Sequence, residues 1–289
     1  MERILNQKKI TYDLVLTERV RQAWEVAAER GGRYSHVIAA GGDGTIHEII
    51  NGLLQARQAT AYALPGPRIG FIPIGSGNDF VKAVNIPADI LLAVEVIEKG
   101  STRRIDIGQI CINETECRYF NNNVGVGFDA RVNYETQKIK ALRGLAAYLS
   151  AVLKTVFTYQ HPFVRYETDG VWREQSVLLI HTGNGTCSGG GFYLTPDARP
   201  DDGWLDVCVI NSMSTLRILK ELPKAMDGSH TRVRGVTMHR TKHIRIESAQ
   251  PLPVHADGEM LSLRAQTISL TMIPQMLEII VNGASKPHA

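Results

Sequence analysis

The chain is short of several common functional signatures, and each shortage excludes something. A G-x-x-x-x-G-K-[ST] phosphate loop occurs nowhere in the 289 residues, so a P-loop nucleotide site is excluded. The four cysteines, Cys111, Cys117, Cys187 and Cys208, form no C-x-x-C pair and no zinc-ribbon spacing. That pattern predicts reduced structural thiols in a reducing compartment. No helical apolar stretch approaches the roughly 20 residues that cross a bilayer; the longest without a central charge is "GLAAYLSAVL". The first residues, "MERILNQKKITYD", lack the apolar segment of a signal peptide. A cytoplasmic protein, soluble or peripheral to a membrane, is expected. Charge of one sign is not in large excess either: the net charge is +3, and nucleic acid is not expected as a partner.

What is present is ordinary in amount and informative in order. A 44% hydrophobic, 21% charged composition and this length allow two domains with sizeable cores. In "SHVIAAGGDGTIHEIINGLL" a short β-capable apolar run, His36 to Ala40, ends at glycine. After the turn, Ile46, Ile49, Ile50, Leu53 and Leu54 recur at the spacing of one helix face. A strand, a glycine turn and a helix follow in order. The first amides of a helix have no intrahelical partner and its dipole favours negative charge, so a phosphate suits this position. Thr45 is expected to cap the helix, and Gly41, Gly42 and Gly44 let backbone approach an anion. An acid among phosphates, Asp43, makes sense if a cation neutralises both, since Mg²⁺ is held by one or two carboxylates plus substrate phosphates. "HEIIN" begins like the zinc motif H-E-x-x-H, but Asn51 stands at the second ligand position, so His47 and Glu48 read as ordinary helix residues.

A second glycine turn, "PIGSGNDF", closes the apolar run Ile69 to Ile72 and presents Ser76, Asn78 and Asp79. Ligands of open α/β sheets collect at the carboxyl ends of strands, so the two turns are expected to share one crevice. With helices predicted around Arg19 to Arg30 and Asp89 to Lys99, the first third reads as an α/β domain with a mostly parallel sheet. After about Arg104 short β-type runs dominate, with one helical interruption at 137–158, which predicts an antiparallel β-sandwich. The expected domains are 1–115 and 116–289, the tail "LEIIVNG" closing the second or returning to the first.

Basic residues are unevenly distributed. From Ser214 to Arg245 eight Lys or Arg stand against two acids, and from Thr136 to Tyr166 five stand against none, around Leu142, Leu145, Leu149, Val152, Leu153 and Val156. A solvated face explains this, as does attraction to anionic phospholipid.

Five stretches in order, "GGDGTIHEIINGL", "PIGSGNDFVKAV", "NNNVGVGFDA", "GNGTCSGGGFYLTPDARPDDGWLDV" and "HADGE", resemble the bacterial diacylglycerol kinase and related lipid kinase family from about residue 12 to about 281. The first is shared with NAD kinases, sphingosine kinases and phosphofructokinases. The resemblance implies an N-terminal α/β domain and a C-terminal β-sandwich, with ATP and Mg²⁺ in the cleft between them. Matched by position, it implies that Gly41, Gly42, Asp43, Gly44 and Thr45 form the triphosphate and metal loop. Gly75, Ser76, Gly77, Asn78 and Asp79 become the second nucleotide loop, and Asn122 the asparagine of the interdomain strand. Asp257 and Glu259 resemble the acids supplied by the second domain, one of them the acceptor of the hydroxyl proton; in a strand both would point to one face. "ADGE" also reads as an Asp-Gly hairpin turn. Asp202 and the backbone near Trp204 resemble ligands of a second Mg²⁺ site, although Asp-rich turns explain them equally.

Family members generally begin with a strand and an Asn-Pro-x-Ser-Gly-like loop about 30 residues ahead of the segment matching "YDLVLTER", close to which this chain starts. A first strand and one nucleotide-contacting loop are therefore expected to be lacking, with pairing edges covered in a homodimer. The leading expectation is an ATP- and Mg²⁺-dependent lipid kinase acting on a diacylglycerol-like lipid at the inner membrane face. The alternatives are a soluble small-molecule kinase of the NAD kinase type and a non-catalytic nucleotide- or lipid-binding protein.

Overall fold

A computed structural model describes residues 2–7, 9–60, 66–139, 142 and 144–283. The chain divides into two compact units, Met1–Ile105 with Met276–Ala289, and Asp106–Gln275. The first division falls ahead of the expected 115, and the tail groups with the first unit.

The first unit runs α1 (Glu2–Gln7), α2 (Gln22–Arg30), β1 (His36–Gly41), α3 (Asp43–Thr60), β2 (Arg68–Pro73), α4 (Asp79–Ala83) and α5 (Ile90–Lys99). β1 and β2 pair in parallel from His36↔Arg68 to Gly41↔Pro73, so both strands end level at their glycine turns. The periodic residues Ile46, Ile49, Ile50, Leu53 and Leu54 of α3 are all buried, as their spacing requires. Asp89 caps α5 by accepting the Leu91 and Leu92 amides, and Gly100 ends it at φ 64°. Thr45 does not cap α3: the helix already begins at Asp43, which leaves Thr45 within its first turn.

β3 (Thr102–Ile112) carries the chain into the second unit, which continues with β4 (Glu116–Phe120), β5 (Asn123–Gly127), α6 (Phe128–Gln137), α7 (Gly144–Val156), β6 (Phe163–Thr168) and β7 (Val171–Gly183). It ends with β8 (Leu205–Asn211), α8 (Thr215–Glu221), β9 (Val236–Thr241), β10 (His243–Ala256) and β11 (Glu259–Ile280), whose last residues belong to the first unit. Here the pairings β3–β4, β10–β11, β10–β5, β10–β6, β5–β7, β6–β7, β7–β8 and β8–β9 are all antiparallel. The pairing of β1 with β2 and of β11 with β2, at Ile279↔Ile69, is parallel. Most ladders of the chain are antiparallel, so the mostly parallel sheet expected of the first domain is not established beyond these two pairings. The core of the second unit includes the buried Phe120, Val124, Tyr166, Ile180, Val254 and Leu270; a second cluster around Phe128, Val152 and Leu179 packs α6 and α7.

Two local expectations are corrected. The single helix expected at 137–158 is two, and α6 already starts at Phe128, directly after Gly127 at φ 97°. The side chain of Leu145, and all of Lys140 and Arg143, lie outside the described residues. The cysteines are not all thiols: the β3–β4 register sets Cys111 opposite Cys117, and the two form a disulfide with Cα atoms 4.1 Å apart. Their spacing resembles no familiar motif because the hairpin, not the local sequence, brings them together. Cys187 and Cys208 are buried thiols outside any disulfide. Among the described residues no helix is long and apolar enough to cross a membrane.

Candidate active site

In the first unit the two glycine turns meet through their backbones. A Cβ on Gly75 would lie 2.4 Å from the Gly42 Cα, and one on Gly42 would lie 3.0 Å from the Gly75 Cα. No side chain fits at that junction, which is the physical reason for glycine in both turns. Asn78, left-handed at φ 54°, pins the second turn: its Oδ1 accepts the Gly75 amide at 3.1 Å and its Nδ2 donates to the Gly75 carbonyl at 2.8 Å. Asp43 bridges the turns by accepting the Phe80 amide at 3.1 Å. A Cβ on Gly77 would lie 3.0 Å from the Asp43 Oδ2 and 3.8 Å from the Asp79 Oδ2, so both carboxylates surround that glycine. Lys82 pairs with Asp79 at 3.2 Å. Gly41, Gly42, Asp43, Gly44, Thr45 and the 75–79 turn thus form one contiguous group, with Asp43 half-buried at its centre.

"HEIIN" is structural, as expected. His47 and Asn51 are buried on α3, where Asn51 donates to the His47 carbonyl at 2.9 Å. Glu48 accepts the Arg21 and Ala23 amides at 2.7 and 3.2 Å, serving α2 as a cap from outside that helix.

In the second unit Asp257 is not on a strand. Asp257 and Gly258, at φ 49° and 85°, form the two-residue turn between β10 and β11, with Ala256 opposite Glu259. Asp257 and Glu259 therefore do not share a strand face, and "ADGE" is the Asp-Gly hairpin turn. The buried Asp257 carboxylate accepts three successive amides, from Asn121 at 3.0 Å and from Asn122 and Asn123 at 2.9 Å each. Glu259 is exposed. Asn122 donates to the Cys187 carbonyl at 3.0 Å, and its carbonyl receives the Asn184 and Gly185 amides. Buried amide oxygens of Asn121, Asn122, Asn123 and Asn184 have no protein partner, so a polar ligand or water is needed to satisfy this group.

Beside this turn lies a network that the sequence reading missed. The ladder β10–β5–β7 sets His255 and His181 on either side of Gly125. Asp129, in the first turn of α6, reaches His181 Nδ1 at 2.9 Å and His255 Nε2 at 3.8 Å. A Cβ on Gly125 would fall 2.3 Å from the Asp129 Oδ2, so glycine makes room for the carboxylate. Burial opposes ionisation of Asp129, but the hydrogen bonds and charge of His181 and His255 outweigh it and hold the carboxyl at about 2. His255 Nδ1 in turn accepts the Gly258 amide at 3.4 Å, which ties the network to the Asp257 turn. "NVGVGFDA" carried the only local signal.

The Asp-rich loop makes some contacts of its own and leaves one carboxylate oxygen over. Asp202 accepts the Trp204 amide at 3.0 Å and forms an ion pair with Arg240, while Arg240 and Lys242 also stand over the Trp204 ring. Asp206, which the sequence reading did not single out, is buried with an unpartnered Oδ2. Burial first, and then the charge of Asp202, push its carboxyl up to about 6, the mark of a place short of positive charge. Among the described residues no group of three His, Cys, Asp or Glu is arranged to hold a metal.

Known families match both parts of the chain. Residues 1–110 match the diacylglycerol kinase catalytic domain, and residues 122–281 match the YegS C-terminal NAD kinase beta sandwich-like domain. The diacylglycerol kinase of Staphylococcus carnosus is 33% identical over 227 residues, covering 78% of this chain and 70% of that one. The crystal structure of a diacylglycerol kinase from Bacillus anthracis superposes with a TM-score of 0.70 at 22% identity, over 94% of this chain and 85% of that one. An NAD kinase from Archaeoglobus fulgidus, in complex with ATP, shares the fold at a TM-score of 0.52 and 14% identity, over 97% and 88% of the two chains. This chain belongs to the diacylglycerol kinase family and is a kinase of that type, with an N-terminal α/β domain and a C-terminal β-sandwich-like domain.

Proposed function

We propose that this kinase transfers the γ-phosphoryl group of ATP, with Mg²⁺, to the hydroxyl of a diacylglycerol-like lipid. The observation that carries the reading is the junction of the two glycine turns, where backbone contact leaves room for no side chain and the Asp43 carboxylate bridges the turns. Small residues and free helix-start amides there suit a triphosphate. The backbone of Gly41, Gly42, Gly44, Gly75 and Gly77, the hydroxyls of Thr45 and Ser76, and the side chains of Asn78 and Asp79 are assigned to the nucleotide. Two carboxylates around Gly77 fit Mg²⁺, which takes one or two from protein and the remaining ligands from phosphate and water. When bound, Mg²⁺ neutralises phosphate oxygens as charge shifts to the leaving group.

The proton of the attacking hydroxyl needs an acceptor within hydrogen-bond reach. Asp257 already receives three amides, which occupy both its oxygens and fix the turn, so the exposed Glu259 is assigned as acceptor and Asp257 as the residue that positions it. A second cation is assigned to Asp202, Asp206 and the backbone near Trp204, where the orphaned Asp206 oxygen and its raised carboxyl fit a positive charge.

The test is radiolabel transfer from γ-labelled ATP to diacylglycerol in mixed micelles. Transfer by the wild type and its loss, by at least a thousandfold, in a folded Asp43→Ala variant is expected. Wild-type protein that phosphorylates NAD and not lipid overturns the reading.

A further inference from the structure

The β3–β4 hairpin ends in a turn that its own sequence favours poorly. Asn113 and Glu114 are both left-handed, at φ 49° and 60°, and the Thr115 amide closes the turn on the Ile112 carbonyl at 3.1 Å. Asparagine adopts that conformation at little cost and glutamate does not. The tip is held from outside instead. The Asn113 amide donates to the Thr267 carbonyl at 2.8 Å, its side-chain oxygen accepts the Gln266 and Thr267 amides at 3.0 and 3.2 Å, and Glu114 pairs with Arg245 at 2.8 Å. At the base of the hairpin the Asn184 side chain donates to the carbonyls of Asp106 and Asn121, at 3.0 and 2.8 Å. Between tip and base Phe120 packs on Gly108, where a Cβ would fall 2.0 Å from the ring.

Cys111 and Cys117 face each other within this frame. Their Cα atoms are 4.1 Å apart, the short spacing of a pair that exchanges no backbone hydrogen bonds. Their bond therefore spans a ladder already fixed at both ends, and opening it leaves the two sulfurs on facing residues, held by contacts that do not pass through them. The two residues differ in access: Cys117 is exposed and Cys111 is half-buried. Access decides which sulfur an incoming thiolate attacks. The remaining cysteines do not compete, since Cys187 and Cys208 are buried and burial pushes the Cys208 thiol up to about 12.

We propose that Cys111 and Cys117 form a reversible thiol–disulfide exchange site, entered by a small soluble thiol at Cys117, whose state sets how firmly β4 is held against β3. In reduction a small thiolate attacks the Cys117 sulfur, forming a mixed disulfide and releasing Cys111 as a thiolate that takes up a proton. A second small thiolate attacks the outer sulfur of the mixed disulfide and releases Cys117 in the same way. Two small thiols are thereby oxidised to their disulfide as the protein bond gains two electrons and two protons, and a small disulfide drives the same steps backwards. The effect reaches β4 because a cross-link restricts the open hairpin and its loss returns that freedom. β4 leads directly into Asn121, Asn122 and Asn123, whose amides Asp257 gathers. The inference rests on the hairpin alone and stands apart from the phosphoryl-transfer reading.

The experiment equilibrates the folded full chain in mixtures of reduced and oxidised glutathione over a wide range of ratios, quenches with acid, alkylates, and reads residues 111 and 117 by mass spectrometry. Wild-type protein is expected to pass from linked to open along a two-electron curve while circular dichroism stays that of the folded chain. Hydrogen exchange at the β4 amides is expected to be about tenfold faster in the open form. Cys111→Ser, which leaves Cys117 alone, is expected to take up glutathione from its disulfide roughly tenfold faster than Cys117→Ser, which leaves the half-buried Cys111. Thiols that stay unlinked at every ratio, or a bond that opens only in denaturant, overturn the exchange site, and that curve needs no variant to fold. Equal uptake by the two variants overturns entry at Cys117. Identical amide exchange in the linked and open forms overturns its hold on β4.

Discussion

Asp43 and Asp257 both sit where backbone amides converge, yet they are built for different tasks. Asp43 opens α3, stays half-buried, and accepts the Phe80 amide from the neighbouring turn. Asp257 is buried and holds the amides of Asn121, Asn122 and Asn123 together. A carboxylate with access to solvent can exchange its partners for a metal and phosphate, whereas one enclosed by three amides serves the fold first. Glycine marks both places for different reasons. At Gly42 and Gly75 it lets two backbones touch, and at Gly258 it supplies the left-handed conformation that the turn requires.

The sharpest way to break this contrast is to remove both acids and compare stability. Asp257→Ala strands three buried amides, each costing about 1–3 kcal/mol, so a loss of roughly 3 kcal/mol or more is expected in urea unfolding. Asp43→Ala removes a half-exposed carboxylate together with its bond to the Phe80 amide and is expected to cost less than Asp257→Ala. Both variants are expected to lose activity, but only the first should lose it together with its fold. Equal destabilisation would show that Asp43 is as structural as Asp257.

A smaller effect isolates the support behind the Asp257 turn. The Asp129 carboxyl lies at about 2 in the folded protein against an ordinary value of 3.8. The stability it contributes is therefore complete above that ordinary value and is lost as pH falls toward 2, on the order of 2 kcal/mol in all. Glu135 is also held at about 2, chiefly by Lys154 and Lys138, so the two acids must be separated by comparison of variants. Asp129→Asn is expected to be less stable than wild type at neutral pH and to close that gap between pH 4 and 2, as followed by thermal unfolding. A gap that stays constant through this range would remove His181 and His255 as the cause.

The two regions also differed in how much of them was legible. The glycine turn of the first unit is local: strand, turn and helix are contiguous, the helix period is regular, and Ile46 through Leu54 are buried as their spacing demands. Contact between Gly42 and Gly75 was inferable only because two parallel strands end level. The second unit is assembled by pairing across long separations. Asp257 meets amides more than 130 positions earlier, His255 meets Asp129, and Arg240 reaches back to Asp202. No short window of sequence contains both members of such a pair, so the amides gathered by Asp257 and the role of Asp129 were not visible, whereas the Asp-Gly turn was one of two readings of "ADGE" and the Cys111–Cys117 bond, only six positions apart, depends on a hairpin register that the spacing alone does not set. A β-type texture predicted the sandwich because alternation is local, while its register is not.

The smallest effect tests how far an apparent motif in the first unit is only structural. Glu48, in the sequence His-Glu-Ile-Ile-Asn, accepts the Arg21 and Ala23 amides at the start of α2. That start has no side-chain cap of its own, and Arg21 there is left-handed at φ 67°. A carboxylate reaching over from α3 replaces the missing cap and adds a favourable charge at the positive end of the helix dipole. Glu48→Ala is therefore expected to cost about 1 kcal/mol of unfolding free energy. Glu48→Gln keeps one acceptor without the charge and should recover part of the loss. Phosphoryl transfer by the folded variants is expected to stay at the wild-type rate, because the residue faces α2 and not the glycine turns. A loss of activity in Glu48→Gln at unchanged stability would mean that the segment after Asp43 contributes to the chemistry as well as to the packing of α2 on α3.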